Sequence, residues 1–117
     1  MKTWITQLRK GLLEFCVLNA ISCGETYGYE LVQRLKGIQQ LAVTESTVYP
    51  ILSRLKQDGF VKVRDAPSTS GPPRRYFSLT ALGRQRTGEM NVYWDGLYDA
   101  IAALRETSSG RQDNASQ

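Results

Sequence analysis

Residues 44–60 read TESTVYPILSRLKQDGF, and the apolar positions in this stretch decide the fold. Val48, Ile51, Leu52 and Leu55 recur at i, i+3, i+4 and i+7, the spacing that places side chains on one face of an α-helix. The same spacing turns Thr47, Tyr49, Pro50, Ser53, Arg54 and Lys56 to the opposite face or its edges. Gly59 follows, and glycine readily takes the left-handed conformation that ends a helix. The helix is expected from Thr44 or Ser46 to Asp58. Pro50 favours the later start, because proline has no amide to donate from an interior position.

Working outward, Ile5, Leu8, Leu12 and Phe15 recur at helical spacing, and Leu13, Cys16, Val17, Ala20 and Ile21 widen that face. A mostly buried first helix is therefore expected from Trp4 to Ser22, with Gly24 as its stop. A second helix should open at Thr26, whose hydroxyl suits an N-cap, and line one face with Leu31, Leu35 and Ile38. On the other side, residues 60–64 and 74–79 read as strands joined by a turn-rich loop, APSTSGPP, at 66–73. Two strands alone are marginal in water, but three helices give them a surface to pack on. The expected fold class is mainly α with a small β-hairpin, arranged as a winged helix-turn-helix.

Thr80 is placed to cap a long final helix reaching about Thr107. Within it Met90, Trp94, Leu97, Ile101 and Leu104 alternate spacings of four and three, the pattern of a seam against another helix. Gly83, Gly88 and Gly96 each weaken an isolated helix by about 1 kcal/mol relative to alanine, so a partner is expected. The expected division is 1–79 as the winged helix-turn-helix domain, 80–107 as a C-terminal dimerisation helix and 108–117 as a disordered tail without hydrophobic anchors.

The totals exclude several functions. At 117 residues, 41% hydrophobic and 22% charged, the chain has the composition of one soluble domain. Arg9, Lys10 and Glu14 interrupt the longest apolar candidate, which falls short of the roughly 18 residues that cross a bilayer. The opening also lacks an apolar core followed by a small-residue cleavage site. A cytoplasmic location and no membrane partner are expected. Cys16 and Cys23, about 10 Å apart on one helix, are too distant for a disulfide. The chain has no histidine, so a zinc site would have to recruit carboxylates, and packing is the reading for both thiols. Neither a metal nor a cofactor is expected. The missing histidine and the absence of P-loop, GxGxxG and HExxH patterns also argue against an enzyme.

The net charge of +4 is unevenly spread. Between Thr44 and Arg86 eight Lys/Arg stand against three Asp/Glu, while beyond Arg86 two stand against five. A cationic middle and an acidic end are the footprint of an anion-binding surface, for which nucleic acid is the obvious large partner. In a helix-turn-helix the second helix of the unit enters the major groove by its N-terminal part. Thr47, Tyr49, Ser53, Arg54 and Lys56 suit base edges and phosphates, and Glu45 can accept from a cytosine amino group. Arg74 and Arg75 lie where a wing reaches the backbone, and Tyr27 and Tyr29 present hydroxyls to phosphate, unless one of them serves the core. The plain alternative is that Arg54 and Lys56 are solvated charges and Tyr49 a packing residue.

The successive stretches RKGLLEFCVLNAI, TYGYELVQRL, STVYPILSRLKQDGFV and GPPRRYFSLTALG resemble the PadR family of bacterial and archaeal transcriptional regulators over roughly residues 9–84. The final helix, with a tryptophan midway, is similar to the dimerisation helix of the shorter PadR subfamily. The resemblance implies a homodimer that binds a pseudo-palindromic operator in double-stranded DNA, commonly as a repressor released by a small molecule. It points to Tyr27, Ser46, Thr47, Tyr49, Arg74 and Arg75 as DNA contacts. Glu45-Ser46 stands where the family more usually has Pro-Gly. A twofold partner would cover Met90, Leu97, Ile101 and Leu104, with Trp4 and Leu8 adding to the interface. Trp94, with Asp95 or Asp99, invites two readings: plain dimer packing, or a pair of indoles that sandwiches a planar aromatic effector. Protein interaction through the same fold without DNA is the remaining alternative.

Overall fold

The computed structural model describes the backbone of residues 1–115 and the side chains of residues 1–107. Helix α1 spans Lys2–Ser22 and buries Leu13, Val17, Leu18 and Ile21. Its second half is thus the part that enters the core. The first half stays outside this core: Trp4 is 62% exposed and Leu8 is also exposed, because the core-forming partners of α1 lie beside its later turns. After Ser22 the chain reverses through Gly24, whose φ of +143° a residue with a Cβ rarely adopts.

The next element differs from expectation. Thr26–Tyr27 form a short strand, β1, instead of the start of a helix. Thr26 pairs with Phe77 and is buried, so it does not cap the second helix. Tyr27 takes the N-cap position in an extended conformation without a side-chain cap bond, and α2 runs Gly28–Lys36. Gly28 is needed there, since a Cβ would sit 2.9 Å from the Phe77 ring. Leu31, Val32 and Leu35 face inward, whereas Ile38 lies past the helix and is exposed.

A 3-10 turn at Gln39–Leu41 and left-handed Ala42 lead into α3, Glu45–Gln57. The Arg9 Nε donates to the Gln40 carbonyl at 3.0 Å and ties this turn to α1. Thr44 is the N-cap residue, so the helix starts earlier than Pro50 favoured. Pro50 stays inside the helix, and the Ser46 carbonyl loses its usual amide partner. Val48, Ile51, Leu52 and Leu55 form the buried stripe. At the far end the Gly59 amide bonds the Lys56 carbonyl and the Phe60 amide bonds the Leu55 carbonyl, with Gly59 at φ +84°. This Schellman arrangement also brings Phe60 inward with Leu55.

Strands β2, Val61–Ala66, and β3, Arg74–Leu79, pair antiparallel from Val61↔Leu79 to Ala66↔Arg74. With β1 they form a three-stranded sheet in the order β1-β3-β2. The inward residues Val61, Phe77 and Leu79 meet a core that includes Val17, Leu18, Leu31, Val32, Val48 and Leu55, all without exposed surface. Each such side chain contributes roughly 1.5–3 kcal/mol of burial.

Helix α4 runs Ala81–Ala115 and so continues past Thr107. A helix already nucleated gains one hydrogen bond for each residue added, and no proline interrupts 108–115. The reading of 108–117 as a disordered tail lies otherwise outside the described residues. Two compact units are distinguished, Met1–Thr87 and the segment from Gly88 onward. The first turn of α4 belongs to the former. Thr80 caps it: its hydroxyl accepts from the Gly83 amide at 3.0 Å and donates to the Gly59 carbonyl at 2.6 Å. Among the described residues no helix is long and apolar enough to cross a membrane.

Candidate nucleic-acid interface

Helical geometry sorts the outer residues of α3 once its buried stripe is known. Ser46, Pro50 and Ser53 lie opposite the stripe, with Tyr49 on one shoulder and Thr47 and Arg54 on the other. Glu45, Ser46, Tyr49, Ser53, Arg54 and Lys56 are exposed and Thr47 is half-buried. Thr44 links the first turn, its hydroxyl lying 2.8 Å from Ser46 Oγ and 3.2 Å from Thr47 Oγ1. Gln57, which the sequence pattern did not single out, lies on the same outward line as Ser53.

Tyr49 leans towards α2. Its ring edge would be 3.7 Å from a Cβ at Gly28, while 41% of the residue stays exposed. Partial burial, and next the negative charge of Glu45 and the nearby Tyr27, push its phenol above the usual value. A phenol is protonated near neutral pH even without that shift, so the hydroxyl can donate to a phosphate or a base acceptor.

Tyr27 begins a row of rings and cations that joins α2 to the wing. Its ring centroid is 6.2 Å from that of Tyr29 and 5.8 Å from that of Tyr76. The Arg74 guanidinium lies 5.0 Å from the Tyr27 ring, and Arg64 lies 4.9 Å from the Tyr76 ring. Arg64 also donates two hydrogen bonds to Glu25, at 2.7 and 3.1 Å. Those bonds hold the Glu25 carboxyl below its ordinary range. Sequence reading missed this Glu25–Arg64 clasp, since partners 39 positions apart leave no local signal. Two further ion pairs involve sequence-selected arginines: Arg54–Glu14 at 3.4 Å and Arg75–Asp65 at 3.7 Å.

The other expected sites are placed as follows. On α4, Met90 and Trp94 are half-buried while Leu97, Ile101 and Leu104 are exposed, Leu104 at 71%. The ring beside Trp94 is that of Tyr98, at 6.4 Å. Asp95 and Asp99 are exposed and stand roughly 100° and 140° around the helix from Trp94. A cavity of ≈ 320 Å³ is lined by Cys16, Asn19, Ala20, Arg34, Leu35 and Ile38. Burial raises the Cys16 thiol above its usual value, as suits a packing group rather than a nucleophile. Among the described residues no group of three or more His, Cys, Asp or Glu side chains forms a metal site.

Known proteins share this fold. Residues 17–89 match the Transcriptional regulator PadR-like family. A Streptococcus transcriptional regulator is 38% identical, with 85% of this chain and 97% of that one covered and a TM-score of 0.73. A PadR-like transcriptional regulator from Bacillus cereus is 33% identical, with 84% and 95% covered and a TM-score of 0.75. Bacillus subtilis PadR, solved in complex with operator DNA, is 23% identical, with 69% of this chain and 47% of that one covered and a TM-score of 0.61. That last likeness is one of fold.

Proposed function

The chain belongs to the PadR-like family of transcriptional regulators, and on that premise we propose that it acts in the cytoplasm as a homodimeric repressor of a pseudo-palindromic operator. The observation that carries this reading is the polar face of α3, exposed from Glu45 to Lys56 apart from half-buried Thr47 and flanked by Arg74 stacked on Tyr27. An exposed hydroxyl-rich helix beside a cationic strand pair suits a major groove and its bordering phosphates. Ser46, Thr47, Tyr49 and Ser53, with Glu45, are assigned to base edges. Arg54, Lys56, Arg74, Arg75, Tyr27 and Tyr29 are assigned to the backbone.

Residues 1–79 then form the reading head and 80–107 the dimerisation helix. Leu97, Ile101 and Leu104 are exposed apolar residues on one seam, and a second copy is the simplest cover for them. Twofold pairing sets two copies of α3 about 34 Å apart, one turn of duplex. Footprinting on the DNA upstream of the protein's own gene should protect an inverted repeat with half-sites at that spacing. No protection above that given by random sequence sinks the reading.

Release by a planar aromatic effector is assigned to Trp94, whose neighbour Tyr98 adds a second ring. Such compounds should quench the indole emission and weaken operator binding together. Quenching that leaves operator affinity unchanged removes the effector role.

A further inference from the structure

Arginines of the cationic middle segment differ in how firmly a carboxylate holds them. Arg64 is committed to the fold: Glu25 grips it twice, at 2.7 and 3.1 Å, and it covers the Tyr76 ring. Arg54 and Arg75 are held loosely, by Glu14 at 3.4 Å and by Asp65 at 3.7 Å. Asp65 and Arg75 are directly opposed in the β2–β3 register, and Glu14 reaches from α1 to the shoulder of α3. Both loosely held arginines are among the residues assigned to phosphate.

We infer that Glu14 and Asp65 are specificity-determining residues that compete with DNA phosphate for Arg54 and Arg75, an inference that rests on the DNA-binding reading above. An exposed ion pair has little net stability, so a phosphate held at the right place can displace the carboxylate. Guanidinium binds phosphate in the same bidentate way as it binds carboxylate. Until that fit is achieved, each pair presents a nearly cancelled charge. In a loose encounter on arbitrary sequence the arginines stay with Glu14 and Asp65. Only a seated α3 and wing present phosphates in fixed positions that take them away. The two carboxylates thus lower sequence-independent attraction more than operator binding, and it is the ratio of the two that decides occupancy among many competing sites.

The test is a salt titration of full-length protein on a fluorescent duplex of mixed sequence, comparing wild type with Glu14→Gln and Asp65→Asn. Each amide is nearly isosteric and both positions are surface pairs, so the variants should fold; circular dichroism checks this. Each should bind the mixed duplex about twofold to fivefold more tightly at low salt. Each should also steepen the dependence of log K on log salt, by up to about 0.9 for one further phosphate contact. The gain from Glu14→Gln should vanish in an Arg54→Ala background, and that from Asp65→Asn in an Arg75→Ala background; a mere increase in net charge would persist in both. Amide variants that match a DNA-binding wild type in affinity and slope overturn this inference alone, as do gains that survive loss of the arginine. A wild type that binds no duplex at low salt overturns it together with the functional reading.

Discussion

Thr80 makes two hydrogen bonds with one hydroxyl, joining the end of α3 at Gly59 to the first turn of α4 at Gly83. Its removal leaves an amide and a carbonyl in need of water. Thr80→Ala should lower stability by about 1–2 kcal/mol, with Thr80→Ser losing much less; urea unfolding midpoints measure both. Glu25 offers a test through pH. Arg64 depresses its carboxyl below the ordinary value of 4.5, so the folded state prefers the ionised form. A depressed folded value adds stability above the unfolded pKa and loses it as pH falls through the folded one. Wild type should melt above Glu25→Gln at neutral pH, and the two curves should converge in acid. A gap that persists there would assign the difference to shape rather than charge. The roles of Thr80 and the α3 stripe were readable from residue type and spacing, whereas the Glu25–Arg64 clasp needed the chain folded.

Among the elements, α3 followed its pattern closely because its stripe and the Gly59 stop are local signals. β1 had no such signal. Two residues are too few for periodicity, and Thr26–Tyr27 become a strand only because β3 arrives beside them. The expected N-cap at Thr26 failed for the same reason: its backbone is taken by the sheet. The start of α4 shows a tertiary demand overriding helix propensity. Gly83 is a poor helix former, but a Cβ there would collide with the Phe60 carbonyl, so close approach of α4 to that turn requires it. Gly83→Ala, which raises intrinsic helix propensity, should nonetheless destabilise the protein by about 1–3 kcal/mol. Gly88→Ala meets no atom within 4 Å and should be neutral or stabilising. Thermal melts of the two variants check this opposition.

At the scale of the whole molecule, the proposed binding to a twofold operator calls for two copies, and the prediction concerns the α4 seam. Leu97→Asp with Ile101→Asp places charge where the proposed partner packs, so sedimentation should give a monomer. The secondary structure of residues 1–87 should be retained, and protection of the operator should be lost, because one head has only half the site. A variant that stays dimeric sinks the assignment of this seam. The periodicities of 3.6 and 2 and the glycine stops were enough to give three helices, a hairpin and a long last helix, because each depends only on near neighbours. Charge counts gave the cationic region by the same local means. Folding alone decided that a third strand completes the sheet, that the Tyr27 ring meets Arg74 and Tyr76, and that Arg54 and Arg75 meet Glu14 and Asp65. These are contacts between residues far apart in the chain or across a long loop, and no local pattern encodes which side chains the core will bring together.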